Sequence, residues 1–147
     1  MEKVNVKIVL EEGVQAPQYA TKGSAGMDVR ANIKEPITLG TLERKLIPTG
    51  IKLAIPEGYE VQVRPRSGLA LKHGISVVNT PGTIDADYRG EVGVVLINLS
   101  NTPFVVEPQE RIAQLVLNQV PQMELIEVVS LDDTERGGGG FGHTGTK

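Results

Sequence analysis

The chain has 147 residues, 39% of them hydrophobic but only 3% aromatic, and a net charge of −3. That length fits one domain with an aliphatic core, and the acidic balance disfavours a protein that coats nucleic acid. The absence of cysteine excludes disulfides, thiolate-ligated zinc and thiol catalysis.

The N-terminus runs directly into period-two alternation, with Val4, Val6, Ile8 and Leu10 on one face. There is no apolar leader segment, and the longest apolar run, Val92 to Ile97, is far too short to span a bilayer. A cytoplasmic protein without membrane contact is the expectation. Ser24-Ala25-Gly26-Met27-Asp28 follows, small residues leading a carboxylate into a strand. Asp28 is either a site residue or a turn residue. Leu46-Ile47 reads as strand, as do Ile51, Leu53 and Ile55, and then Tyr59, Val61 and Val63. Pro56-Glu57-Gly58 between the last two reads as a hairpin turn.

Ser67 to His73 is the one helical stretch, about two turns, with Ser67 as N-cap and Gly74 as C-terminal stop. His73 would complement the helix dipole. Arg66 and Ser67 stand at the helix start, where free N–H groups attract anions. A capping serine beside a solvated arginine is the plainer alternative.

Ile75 to Val78 is strand-like and leads to Gly82-Thr83-Ile84-Asp85-Ala86-Asp87-Tyr88-Arg89-Gly90-Glu91, the densest polar cluster. In an extended hairpin Asp85 and Asp87 share a face and Tyr88 takes the other, unless the turn re-aims it. A fixed carboxylate can serve as general base to a water. Asp and Gly are equally ordinary turn formers. Val92 to Leu99 is apolar on both faces, as in a strand inside a sandwich. Phe104 to Val106, Ile112 to Leu117 and Leu125 to Val129 complete the strands. Gln114 interrupts an apolar strand face, as a core amide or a ligand. Turn residues at intervals of eight to twelve positions predict an all-β fold, a distorted jelly roll or sandwich-like barrel with one short helix. The domain should close near Val129, as residues 1–129, with residues 130–147 as tail.

That tail concentrates six of 17 glycines around Arg136, Phe141, His143 and Thr144. Ordering ten such residues costs about 1–2 kcal/mol each, on the order of 10–20 kcal/mol in all. The segment is therefore either a frayed linker or a flexible arm that orders over a polyanionic ligand. Glycine N–H groups, an arginine and a stacking ring suit the second role. No His and carboxylate set has metal-cage spacing, and no phosphate loop or nucleophile elbow is present.

In order, Ala25-Gly26-Met27-Asp28, Arg66-Ser67-Gly68-Leu69-Ala70, Gly82 to Glu91, Arg111-Ile112-Ala113-Gln114-Leu115 and Arg136 to Gly145 resemble the five motifs of the trimeric dUTPase family. The resemblance spans nearly the whole chain. It implies hydrolysis of dUTP to dUMP and pyrophosphate by water attack on the α-phosphorus, which keeps uracil out of DNA and supplies dUMP for thymidylate synthesis. Asp85 would orient and deprotonate the water. Tyr88 would exclude a ribose 2′-hydroxyl. Asn79 and the backbone of Thr83, Ile84 and Asp85 would read uracil, with Gly93 beside them. Arg66, Ser67, Gly68 and Gln114 would hold phosphates. Phe141 would stack on the base, while Arg136, Gly142, His143 and Thr144 close over the γ end. Mg²⁺ would ride on the triphosphate and touch Asp28 only through water. A homotrimer with shared active sites is implied. Thr83 stands where an aliphatic is common, His143 where serine is frequent, and Met27 and Val29 where leucines are usual; none removes a catalytic group. Two rivals are a dCTP deaminase, which resembles Arg-Ser-Ser at Arg66-Ser67-Gly68 and lacks the glycine-Phe tail, and a trimeric module that binds nucleotide without catalysis.

Overall fold

The computed structural model describes residues 1–147. Ten strands and one short helix follow one another, and every strand pairing is antiparallel. One sheet has the order β1 (Lys7–Leu10), β4 (Arg44–Ala54), β8 (Glu91–Asn98), β6 (Ile75–Val77). The second has β2 (Gly26–Arg30), β10 (Arg111–Gln119), β5 (Tyr59–Arg64), β7 (Gly82–Ile84). A small pair, β3 (Ile37–Leu39) with β9 (Phe104–Val106), completes the jelly roll. The core is aliphatic, as the composition requires. Ile47, Ile51, Val92, Val94 and Leu96 of the first sheet and Val29, Val61, Val63, Ile112 and Leu115 of the second belong to one buried cluster. No helix is long and apolar enough to cross a membrane.

Pro56-Glu57-Gly58 does turn the chain, with Tyr59 N–H donating to the Pro56 carbonyl and Gly58 at φ 87°. It does not make a hairpin. β4 and β5 lie in different sheets. Each has one apolar face, and both faces bury best when they meet across the core rather than side by side. β7 and β8 likewise sit in different sheets, so the acidic segment between them is a crossing between layers and not a hairpin. β8 alternates strictly between buried and half-buried residues. Its second apolar face, with Val95 and Ile97, is therefore only half covered within the chain.

The helix α1 (Ser67–His73) ends as expected, with Gly74 left-handed at φ 65°. Its N-cap is Arg66 rather than Ser67, in extended conformation and without a side-chain cap. The Arg66 guanidinium is held elsewhere, as described below, and Ser67 enters the first turn. His73 sits in the last turn and packs on Phe104, ring centroids 5.3 Å apart.

The expected strand over Leu125–Val129 does not form. β10 stops at Gln119, and Val120 N–H, donating to the Gly58 carbonyl, is the last backbone tie to the body. Leu125, Ile126 and Val129 are exposed and pair with no strand of the chain. Beyond Pro121 the hydrogen bonds are local turns, among them Arg136 Nε to the Gly139 carbonyl (2.7 Å) and His143 N–H to the Gly140 carbonyl (2.9 Å).

Asn98 closes the end of β8. It is fully buried; its Nδ2 donates to the carbonyls of Leu39 (2.9 Å) and Thr102 (2.8 Å), and its Oδ1 accepts from Ser100 N–H (2.9 Å) and Oγ (2.7 Å). Replacing it by a shape-matched leucine strands several polar groups, each worth about 1–3 kcal/mol when buried. Asn98→Leu should lower the melting temperature by about 5–15 °C at fixed protein concentration. A shift under 2 °C in a thermal melt would remove the network from the fold's main supports.

Candidate active site

Two groups of polar residues stand out, and they share no residue. The first lines an open cleft of about 300 Å³ where the β7–β8 crossing meets β4 and β5. Asn79, Gly82, Thr83, Ile84, Asp85, Tyr88 and Gly93 line it, together with Leu46, Val63, Glu91 and Val92. The cleft thus gathers the positions expected to meet the base and sugar, Phe141 of the tail excepted. Its floor is built by strand register. β7 lies against β5 with Thr83 opposite Gln62 and Gly82 opposite Val63, and Gly93 faces Pro48 across the β4–β8 pair.

At the end of β7 the chain turns. Tyr88 N–H donates to the Asp85 carbonyl (3.2 Å), so Asp85 to Tyr88 form a β-turn. The alternation expected of an extended segment is lost there, and Asp85 and Tyr88 both line the cleft. Asp85 is exposed and takes part in none of the chain's ion pairs. Arg89 Nη1 donates to the carbonyls of Ala86 (2.6 Å) and Tyr88 (3.1 Å) and pins the turn from behind. The Tyr88 hydroxyl donates to the Glu91 carbonyl (2.9 Å). Partial burial raises the Glu91 carboxyl above its ordinary value. A hydrogen bond to Glu11 and that residue's negative charge add to the rise, against the opposing pull of Lys52.

The second group centres on Asp28. Arg66 Nε lies 3.2 Å from Asp28 Oδ1, and Arg111 Nη1 3.5 Å from Oδ2. Arg66 Nη1 also donates to the Arg111 carbonyl (3.4 Å). Gln114 lies opposite both Asp28 and Arg64 across β10, and its Nε2 donates to the Pro65 carbonyl (3.1 Å). Gly26 makes room for it, because a Cβ there would stand 2.6 Å from the Gln114 Oε1. Ion pairs this exposed contribute about 0–1 kcal/mol each. They orient rather than stabilise: Asp28 holds two guanidinium groups beside the start of α1, where Ser67 and Gly68 stand. The result is a cationic, donor-rich edge suited to an anion.

The tail residues Arg136, Phe141, Gly142, His143 and Thr144 line neither group within one chain. Phe141 is fully exposed. Three contributors escaped the sequence reading. Leu46 reaches the cleft from β4 only through the β4–β8 register, and Glu91 was legible as part of the acidic segment but carried no role. Arg111 was read within its motif, but its pairing with Asp28 joins residues 83 positions apart.

The dUTPase family's sequence model matches residues 12–145. The chain belongs to the dUTPase family. The deoxyuridine 5′-triphosphate nucleotidohydrolase of Fusobacterium nucleatum is 67% identical to it over 145 residues, 99% of each chain. That of Chlamydia pneumoniae is 61% identical over 137 residues, 92% of this chain and 94% of its own. Among solved structures, the Staphylococcus bacteriophage 80alpha dUTPase with dUpNHpp superposes with a TM-score of 0.87 at 27% identity, covering 98% of this dUTPase-family chain and all of that one.

Proposed function

We propose that the chain hydrolyses dUTP to dUMP and pyrophosphate, with water attacking the α-phosphorus. The observation that carries this reading is the convergence of Asn79, Thr83, Ile84, Asp85, Tyr88 and Gly93 on one cleft, with an unpaired carboxylate among them. The names of the relatives, and dUpNHpp, by its composition a dUTP analogue, in the phage enzyme, support it.

Uracil enters the cleft, and Asn79 with the backbone of Thr83 to Asp85 hydrogen-bonds its polar edge. Gly93 leaves the ring room. Tyr88 forms the wall against the sugar and excludes a 2′-hydroxyl. Arg66, Ser67, Gly68 and Gln114 bind the phosphates. Asp85 accepts a proton from the attacking water, and the negative charge that develops beyond the α-phosphorus is met by the arginines. From the tail, Phe141 stacks on the base while Arg136, Gly142, His143 and Thr144 cover the γ end.

A homotrimer explains the separation of the two residue groups, since one copy's cleft can face another's Arg66 edge. The half-covered apolar face of β8, with Leu46 and Val78 exposed beside it, and the bare Leu125–Val129 segment support burial against further copies. Mg²⁺ fits the site as a passenger on the triphosphate. No three His, Cys, Asp or Glu residues converge, and both Asp28 oxygens already face arginines, so Asp28 would reach the ion through water. When bound, the ion neutralises phosphate charge and eases departure of pyrophosphate.

The test is pyrophosphate release from dUTP, dTTP, dCTP and UTP, side by side with Mg²⁺. Release from dUTP alone is the expected result. Ammonia from dCTP would assign the chain to deamination, and nucleotide binding without pyrophosphate would make it a binding module.

A further inference from the structure

Tyr88 stands on an exposed turn and is itself 46% exposed. A phenol ring so placed, with two torsions and about half its surface in solvent, needs something to fix it. Two features restrain it. Its hydroxyl donates to the Glu91 carbonyl, as described above. The ring also lies directly over Gly90: a Cβ on that residue would stand 2.4 Å from the Tyr88 Oη, 2.6 Å from Cζ and 2.9 Å from Cε1. Gly90 is outside the left-handed region, so its bare Cα is not needed by the backbone. The missing side chain serves the ring.

We infer that Gly90 is a specificity-positioning residue: by leaving its side-chain volume empty it lets Tyr88 fold onto the chain and bond the Glu91 carbonyl, which sets the sugar wall before nucleotide arrives. This rests on the reading of Tyr88 as that wall. The physical need is plain. The wall must tell a hydrogen from a hydroxyl, and a contact displaced by about 1 Å loses such discrimination. A ring free to swing into solvent would yield to the extra oxygen. An alanine at position 90 leaves the backbone unstrained but evicts the ring, and the hydroxyl loses its carbonyl.

The experiment measures kcat/KM for dUTP and UTP in the parent, Gly90→Ala, Tyr88→Ala and the double variant, with a thermal melt of each. Gly90→Ala should raise the UTP to dUTP ratio by about tenfold, the lower end of what one misplaced methyl group costs in a shaped pocket. Its melting temperature should stay within about 2 °C of the parent, as for most surface substitutions. The double variant should match Tyr88→Ala alone, because residues acting through one element do not add. Tyr88→Phe, which keeps the ring but loses its anchor, should move the ratio the same way by less. If Tyr88→Ala shifts the ratio and Gly90→Ala does not, or if the two shifts multiply, Gly90 has no positioning role. If Tyr88→Ala itself leaves the ratio unchanged, it is the reading of Tyr88 that fails. Should Gly90→Ala not fold, an unchanged ratio in Tyr88→Phe overturns the anchored ring on its own.

Discussion

Asp85→Asn should bind the nucleotide nearly as the parent does and hydrolyse dUTP about 10²–10⁴-fold more slowly, the range that loss of a general base costs. The substitution is close to isosteric, and Asp85 supports nothing else in the chain. It lies exposed at the end of β7 with no ion pair, and the turn is held by the Asp85 backbone carbonyl. Fold and cleft should therefore survive unchanged. Only the proton acceptor is lost. Single-turnover rates with saturating dUTP and Mg²⁺, beside a binding titration, check this. A variant within a few-fold of the parent rate would take Asp85 out of the role of base.

A chain ending at Thr134 should melt and assemble as the full chain does. Nothing beyond Gln119 belongs to a sheet, and the apolar segment through Leu131 is retained. Its single-turnover rate should fall by at least about 10²-fold, the cost of one lost transition-state donor, since Arg136 and the donors near the γ end go together. Phe141→Ala should show a milder loss, because stacking on one base is worth about 1–3 kcal/mol. A truncated protein that melts normally and turns over like the parent would reduce the glycine tail to a linker.

Strand existence was legible where alternation ran long enough to show a buried face; β3 (Ile37–Leu39), only three residues long with Leu39 buried, went unread. Val61 and Val63, or Val92, Val94 and Leu96, announce their core side by alternation alone. Gly74 announces the helix end because the left-handed cap suits little else. Partnering was not legible. Nothing local to Pro56-Glu57-Gly58 tells a hairpin from a crossing, since both need the same turn; the choice is made by where two apolar faces meet. Leu125 to Val129 has a strand's composition but no neighbour within its own chain. At the site, the Gly82 to Glu91 part of the cleft was legible as one polar cluster because it is contiguous, while its roles came only from the family resemblance. The Arg66 and Asp28 cluster was legible only as separate motifs, because residues 38 positions apart form its ion pair. The helix bounds, Ser67 to His73, stood as read, and only its cap differs, being Arg66 rather than Ser67.

The position of β10 has a consequence for how the chain is made. β10 is the last strand in sequence, yet it lies between β2 and β5 and pairs with both. Until Arg111–Gln119 has been synthesised, the second sheet has no centre, and Gly26–Arg30 has no strand to join. Folding is thus dominated by contacts that close late and over long stretches of chain, a topology that folds in milliseconds to seconds rather than microseconds. During that interval Val29, Val61 and Val63 face water on unpaired edges, which other copies can capture. How long those edges stay open is set by how quickly the final strand is delivered into the gap waiting for it.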